Sequence, residues 1–200
     1  MVPSDGAVVF DGTSVGGINT RVGYVTQQDA LLPWRTVAQN IALPLQIRKQ
    51  AKEQIEDRVR QAVTLIGLEG FEDHYPAELS GGMRRRVSLA RTMVYEPDTL
   101  LLDEPFGALD AQLRLVLQTE LSEIVENTGV TVVFVTHDVS EAVALSDRVV
   151  VLTQRPAVVQ LEIPIELARP RNVVGIHREA GYAHYFDQLW ASLRTSSEAP

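Results

Sequence analysis

An α/β fold is predicted for this chain, and three observations predict it. After residue 98, short apolar runs alternate with segments of helical periodicity. Those runs are continuous rather than alternating, the mark of parallel strands covered on both faces. Between about 28 and 97 the periodicity is almost wholly helical, so a helical block looks inserted into the sheet.

The elements follow in order. Residues 7–10 are apolar and β-prone, and Asp11-Gly12 is a turn signal. A second strand at 21–26 ends at the polar Gln27-Gln28-Asp29. Thr36 can cap a short helix through Ile41, which Pro44 should end or bend. Ile55, Val59, Ala62, Val63 and Ile66 share one helical face, and Gly67 stops that helix. Another helix carries Met83, Val87, Ala90 and Val94 and runs to Glu96, before Pro97. Then come a strand at 99–102, a helix at 110–127, a strand at 130–136, a short helix at 140–145 and a strand at 148–153. Residues 158–163 suit an edge strand. Beyond Pro164 the pattern weakens, although 184–193 has helical spacing.

Composition excludes several function classes. The chain has 200 residues, 45% hydrophobic, which is enough to bury a core without staples. It contains no cysteine, which removes disulfides, iron–sulfur clusters, thiolate zinc sites and cysteine nucleophiles together. The formal charge is −8, whereas a nucleic-acid-binding domain is usually basic. The excess is uneven: residues 1–100 hold 11 basic and 12 acidic side chains, residues 101–200 hold 7 and 14. The Arg84-Arg85-Arg86 run fits a solvated helix face better than a nucleic-acid contact. The longest apolar runs, such as 132–135 and 149–152, are far below the ~20 residues of a membrane helix. The first residues lack the pattern of a signal peptide.

Four constellations carry chemistry. In Leu101-Leu102-Asp103-Glu104-Pro105 a buried strand ends in two carboxylates, at the sheet edge where α/β proteins bind ligands. Adjacent residues point to opposite sides, so Asp103 can hold Mg²⁺ while Glu104 orients or deprotonates an attacking water. A ligand-free acidic strand-to-turn junction has the same sequence. Leu79-Ser80-Gly81-Gly82-Met83 opens a helix: Ser80 can cap it, and Gly81 and Gly82 admit an anion to its amides. A plain capped helix reads identically. His137 follows an apolar strand expected to lie beside that of Asp103, within reach of a terminal phosphate. Gln27 ends a strand just before the helical block, a plausible hinge.

Taken in order, Gln27, residues 79–83, residues 101–105, Ala108-Leu109-Asp110 and Thr136-His137-Asp138 resemble the ATP-binding subunit of an ATP-binding cassette (ABC) transporter. The resemblance covers about 1–160. It implies a P-loop NTPase-like sheet domain (an ABC ATPase) with an inserted helical subdomain. Residues 1–27 and 98–165 would form the α/β core, 28–97 the helical subdomain and 166–200 a C-terminal extension. It implies ATP and Mg²⁺ as cofactors. Glu104 would be the catalytic carboxylate, Asp103 the metal residue, His137 the switch histidine and Gln27 the Q-loop residue, near metal and attacking water. Ser80, Gly81 and Gly82 would be the signature and Asp110 the D-loop aspartate. Leu31-Leu32-Pro33-Trp34-Arg35 and Phe106-Gly107-Ala108-Leu109-Asp110 resemble the nitrate/sulfonate/taurine importer branch.

The implied partners are a second ABC ATPase subunit, transmembrane permease subunits and, indirectly, a solute-binding protein, with no nucleic acid. The implied location is cytoplasmic, on the inner face of the membrane. One expected motif is not among the 200 residues: no Gly-x-x-x-x-Gly-Lys-Ser/Thr occurs. The expectation is therefore of a domain truncated at its front, its sheet lacking a strand and the helix packed on it, and inactive in isolation. The alternative is a degenerate, non-catalytic subunit that lends only its signature to a partner.

Overall fold

The protein is described by a computed structural model covering residues 5–26, 30–107 and 109–197. A small antiparallel pair, β1 (Val9–Phe10) and β2 (Thr13–Ser14), turns at Asp11 and Gly12. The central sheet is parallel, in the order β3 (Val22–Val25), β4 (Thr99–Asp103), β5 (Thr131–Val135). A separate antiparallel pair, β6 (Arg148–Leu152) and β7 (Val159–Pro164), follows.

One sheet face is packed. Val25, Leu100 and Leu102 are buried with Phe106, Leu117 and Leu121. Their cross-strand registers, Val25 with Leu102 and Leu102 with Phe134, put them in one row. The expectation of a sheet covered on both faces fails here. Tyr24, Leu101 and Val133 are register partners on the opposite face, and Val133 is 54% and Val135 59% exposed. A continuous apolar strand reports that neither face is polar; it does not report that both are covered. Gly23 sits where helix α3 (Gly81–Met93) crosses the sheet: a Cβ there would lie 2.6 Å from Thr92 Cγ2 and 2.8 Å from Leu100 Cδ2.

The helical block is α1 (Val37–Ile47), α2 (Lys52–Leu65) and α3, sharing a core of Val37, Ile41, Leu45, Val63, Ile66 and Val87. Thr36 and Gln39 form a reciprocal capping box at the start of α1. That helix does not stop at Ile41. It continues through Pro44 to Ile47, because buried Leu45 and Ala42 gain more from packing than the hydrogen bond lost at the proline costs. Buried Asn40 holds the preceding loop, accepting from the Leu32 amide and donating to the carbonyls of Leu32, Arg35 and Thr36. Partly buried Leu89 and Met93 on α3 pack against the sheet cluster, so α3 contributes to both cores.

After the sheet strands come α4 (Ala111–Thr128), ended by left-handed Gly129, and α5 (Val139–Leu145). The final helix, α6 (Tyr182–Ser197), brings Leu189 into a third cluster with Val143, Val151, Ile163 and Ile165. Arg171, its side chain almost fully buried, donates to the carbonyls of Val143, Ala144, Ser146, Ile165 and Leu167, tying the last residues to the end of α5. Among the described residues no helix is long and apolar enough to cross a membrane.

Candidate active site

The parallel sheet ends its strands on one edge, where Asp103, Glu104 and His137 lie together. Because β4 and β5 pair in register from Thr99–Thr131 to Asp103–Val135, the residues that follow them leave the sheet side by side. The Glu104 amide donates to the Val135 carbonyl at 3.0 Å, extending the pairing by one step. His137 is two residues further along, with its Nδ1 3.5 Å from Glu104 Oε1. The imidazole is 75% exposed, while the carboxylate is half-buried. Glu104 has φ of 43°, a left-handed conformation that costs a side-chain-bearing residue about 1 kcal/mol and that recurs at functional sites.

Asp103 lies one residue earlier, half-buried, and receives the Tyr24 hydroxyl across the sheet at 3.4 Å. One hard carboxylate at a sheet edge fits Mg²⁺, which takes one or two protein carboxylates and keeps water or phosphate in its other positions. Among the described residues no group of three His, Asp or Glu side chains could by itself hold a metal ion.

Ser80 caps α3 as its sequence suggests, accepting the Met83 amide at 3.2 Å. Gly81 is exposed, with only the end of the Arg84 side chain, 3.7 Å from a Cβ position, beside it, whereas Gly82 is buried against Leu113, into which a Cβ would project. Part of the need for glycine at 82 is therefore packing. Asp110 caps α4, accepting the Leu113 amide at 3.0 Å, so its carboxylate is partly committed to the helix. Gln27, with Ala108, lies outside the described residues.

The arginine run departs from the sequence expectation of a solvated face. Arg84 donates to the Leu79 carbonyl. Arg85 is only 7% exposed and donates from Nε to the Pro105 carbonyl at 3.0 Å and from Nη1 to the Thr26 carbonyl at 2.5 Å. Arg86 reaches the Ile66 carbonyl and pairs with Glu120 of α4 at 3.4 Å. Three consecutive positions on a helix span most of a turn, so one of them must face inward where both sides of the helix are packed. Arg85 thus joins α3 to the residue before Gln27 and to the residue after Glu104.

Three further polar residues that the sequence does not single out, Arg114, Gln118 and Glu141, lie beside this edge. Arg114 and Gln118 on α4 reach Asp138, the cap of α5, and Glu141 within it, and Thr136 bonds Glu141. Burial pushes the Glu141 carboxyl above the usual range, with Asp138 adding to the shift; the bonds from Thr136 and Gln118 and the Arg114 charge oppose it. The i, i+4 spacing of Arg114 and Gln118 was the available signal, but such pairs are common on any exposed helix.

Comparison with known proteins adds to this geometry. Residues 1–107 match the ABC transporter family. An uncharacterized ABC transporter ATP-binding protein of Methanocaldococcus jannaschii is 48% identical over 87% of this chain and 65% of its own. An aliphatic sulfonates import ATP-binding protein of Bacillus thuringiensis subsp. konkukian is 41% identical over 84% of this chain and 66% of its own. A nitrate import ATP-binding protein of Synechococcus elongatus is 43% identical over 92% of this chain and 28% of its own. The chain thus spans just under two thirds of the length of the first two. Among solved structures, a dimeric post-hydrolysis ATP-binding cassette bound to ADP and Pi superposes with a TM-score of 0.69 at 30% identity, over 83% of this chain and 76% of that one.

Proposed function

This chain belongs to the ABC transporter family, and on that premise we propose that it is the ATP-hydrolysing subunit of an importer, driving a small nitrate-, sulfonate- or taurine-like solute through a membrane permease. The observation that carries the proposal is the approach of His137 to Glu104 beside Asp103, at the C-terminal edge of a parallel sheet. The relatives that import sulfonates and nitrate support the solute class.

Each residue has a role in this reading. Glu104 accepts a proton from the attacking water or orients it, and its left-handed backbone aims the carboxylate out of the strand. His137 donates a hydrogen bond to the terminal phosphate. Asp103, oriented by Tyr24, holds Mg²⁺, which when bound neutralises phosphate charge. Gln27, directly after the strand that Arg85 anchors, links nucleotide state to the cleft that receives the permease. Ser80, Gly81 and Gly82 present the α3 amides to the nucleotide of a second ABC ATPase subunit, and Asp110 stands at that same dimer face. The dimeric cassette structure supports such pairing. The core would comprise 1–27 and 98–165, the helical subdomain 28–97 and the extension 166–200; the separate apolar clusters of helical block and sheet support that division. The subunit works on the cytoplasmic face of the membrane, docked on its permease, with a solute-binding protein acting from the other side.

The 200 residues hold no Gly-x-x-x-x-Gly-Lys-Ser/Thr, so the amides and lysine that usually cradle the phosphates are not among them. By themselves they should bind ATP weakly and not turn it over. A second reading makes the chain a non-catalytic partner supplying only its signature; the retention of both Glu104 and His137 favours the hydrolysing reading over it. The test joins a P-loop segment ahead of residue 1 and compares Glu104→Gln with the parent. The variant should keep ATP binding and lose turnover by about 10²-fold or more. Equal turnover removes Glu104 from its role, and no turnover in either protein favours the non-catalytic reading.

A further inference from the structure

The polar residues between α4 and α5 form a two-point clamp. Arg114 and Gln118, one turn apart on α4, face Asp138 and Glu141, three residues apart at the start of α5. At the outer point, Arg114 Nη1 lies 3.4 Å from Asp138 Oδ2 and its Nη2 donates to the Leu109 carbonyl at 3.2 Å. At the inner point, Gln118 Nε2 donates to Glu141 Oε1 at 3.0 Å, and the Thr136 hydroxyl donates to Glu141 Oε2 at 2.5 Å. The same hydroxyl accepts the Asp138 amide at 3.0 Å, and Asp138 Oδ1 accepts the Ser140 amide at 2.8 Å. Both residues that flank His137 are therefore held, while the largely exposed imidazole between them meets Glu104 through Nδ1.

Gln118 and Glu141 are buried. A buried carboxylate is expensive unless its lone pairs are used, and both oxygens of Glu141 are bonded. Apolar side chains would fill the same space at less cost. What the polar pair adds is direction, since two bonds to one carboxylate fix the Thr136 hydroxyl and hence the turn that presents His137.

We propose that Arg114, Gln118 and Glu141 are positioning residues for His137: they lock the 136–138 turn to α4, the helix capped by Asp110, so that the imidazole is presented to Glu104 and moves with the segment leading into α4. The inference rests on reading His137 and Glu104 as parts of one catalytic site. It concerns residues none of which touches the reacting atoms.

The test uses the 200-residue chain with no nucleotide. The ratio of Nδ1–H to Nε2–H tautomers of His137 is measured by ¹⁵N NMR at about pH 8, where imidazoles are neutral, with His177 and His184 as internal references and His137→Gln assigning the signal. An imidazole held with Nδ1 toward Glu104 keeps an excess of the Nδ1–H form. Gln118→Leu should lower that ratio about threefold, toward the references, as the loss of an ordinary hydrogen bond would. The exchanged pair Gln118→Glu with Glu141→Gln restores donor and acceptor and should restore the ratio. Arg114→Met, at the more exposed point, serves where Gln118→Leu does not fold and should lower the ratio in the same direction. A stability loss with the ratio unchanged makes the clamp merely structural and overturns the proposal. That outcome leaves the ATPase reading intact, just as unchanged turnover in Glu104→Gln would leave the clamp intact.

Discussion

Replacing Arg85 by methionine removes a buried guanidinium while keeping most of its stem volume. In the native chain its Nε and Nη1 serve the carbonyls of Pro105 and Thr26, and the residue is almost wholly screened from water. A hydrogen bond from a charged donor contributes about 1.5–3 kcal/mol, and a carbonyl left buried without its donor costs a comparable amount. Two such bonds would total about 3–6 kcal/mol, reduced because burying the guanidinium is itself unfavourable. Arg85→Met should therefore lose about 3 kcal/mol of unfolding free energy, a large part of the 5–15 kcal/mol typical of a domain. Urea unfolding followed by far-UV circular dichroism measures this directly. With a slope of about 2 kcal/mol/M, the midpoint should fall by about 1.5 M. Arg85→Lys, whose single ammonium cannot reach both carbonyls in the planar geometry of a guanidinium, should fall between. A midpoint within 0.3 M (~0.6 kcal/mol) of the parent at unchanged slope would refute the view that this arginine braces both loops.

Two further outcomes are expected. Gly23→Ala brings a Cβ to 2.6 Å from Thr92 Cγ2, and that side chain is pinned by its own bond to the Ser88 carbonyl; the variant should lose about 1–3 kcal/mol and melt about 5 °C lower, and an unchanged melting temperature would show that α3 shifts freely on the sheet. Burial raises the Glu141 carboxyl above its ordinary value of 4.5, so the folded chain takes up a proton that the unfolded chain has not yet bound. The stabilising uptake is complete below about 4.5 and lost as pH rises through the folded value. Glu141→Gln should accordingly compare best with the parent near pH 7 and progressively worse as pH falls toward 4.5; a pH-independent difference in urea midpoint would exclude the shift.

Local physics made much of the architecture readable in advance. Apolar spacing over Ile55, Val59, Ala62 and Val63 marks one face of α2, and Thr36 and Ser80 both cap the helices they precede. The adjacency of the His137 strand and the Asp103 strand was expected from their alternation with helices, and the register bears it out. Pro44 misleads because a helix stop is a local preference of a few kcal/mol, which the burial of Leu45 and its neighbours outweighs. Arg85 misleads because a charge run says nothing about which helix face is covered, and here the covering comes from strands distant in sequence.

What the sequence by itself determined was the family, the order of its motifs and the chemical type of each site residue, because those depend on residue identity and spacing alone. Only the tertiary structure decided that Glu104 and His137 approach to 3.5 Å, that Arg85 is an internal brace and that the Gly82 backbone packs against Leu113. Each of these depends on which groups from distant parts of the chain share a surface. Short-range propensity contains no term for that; it is set by the close packing of the whole domain.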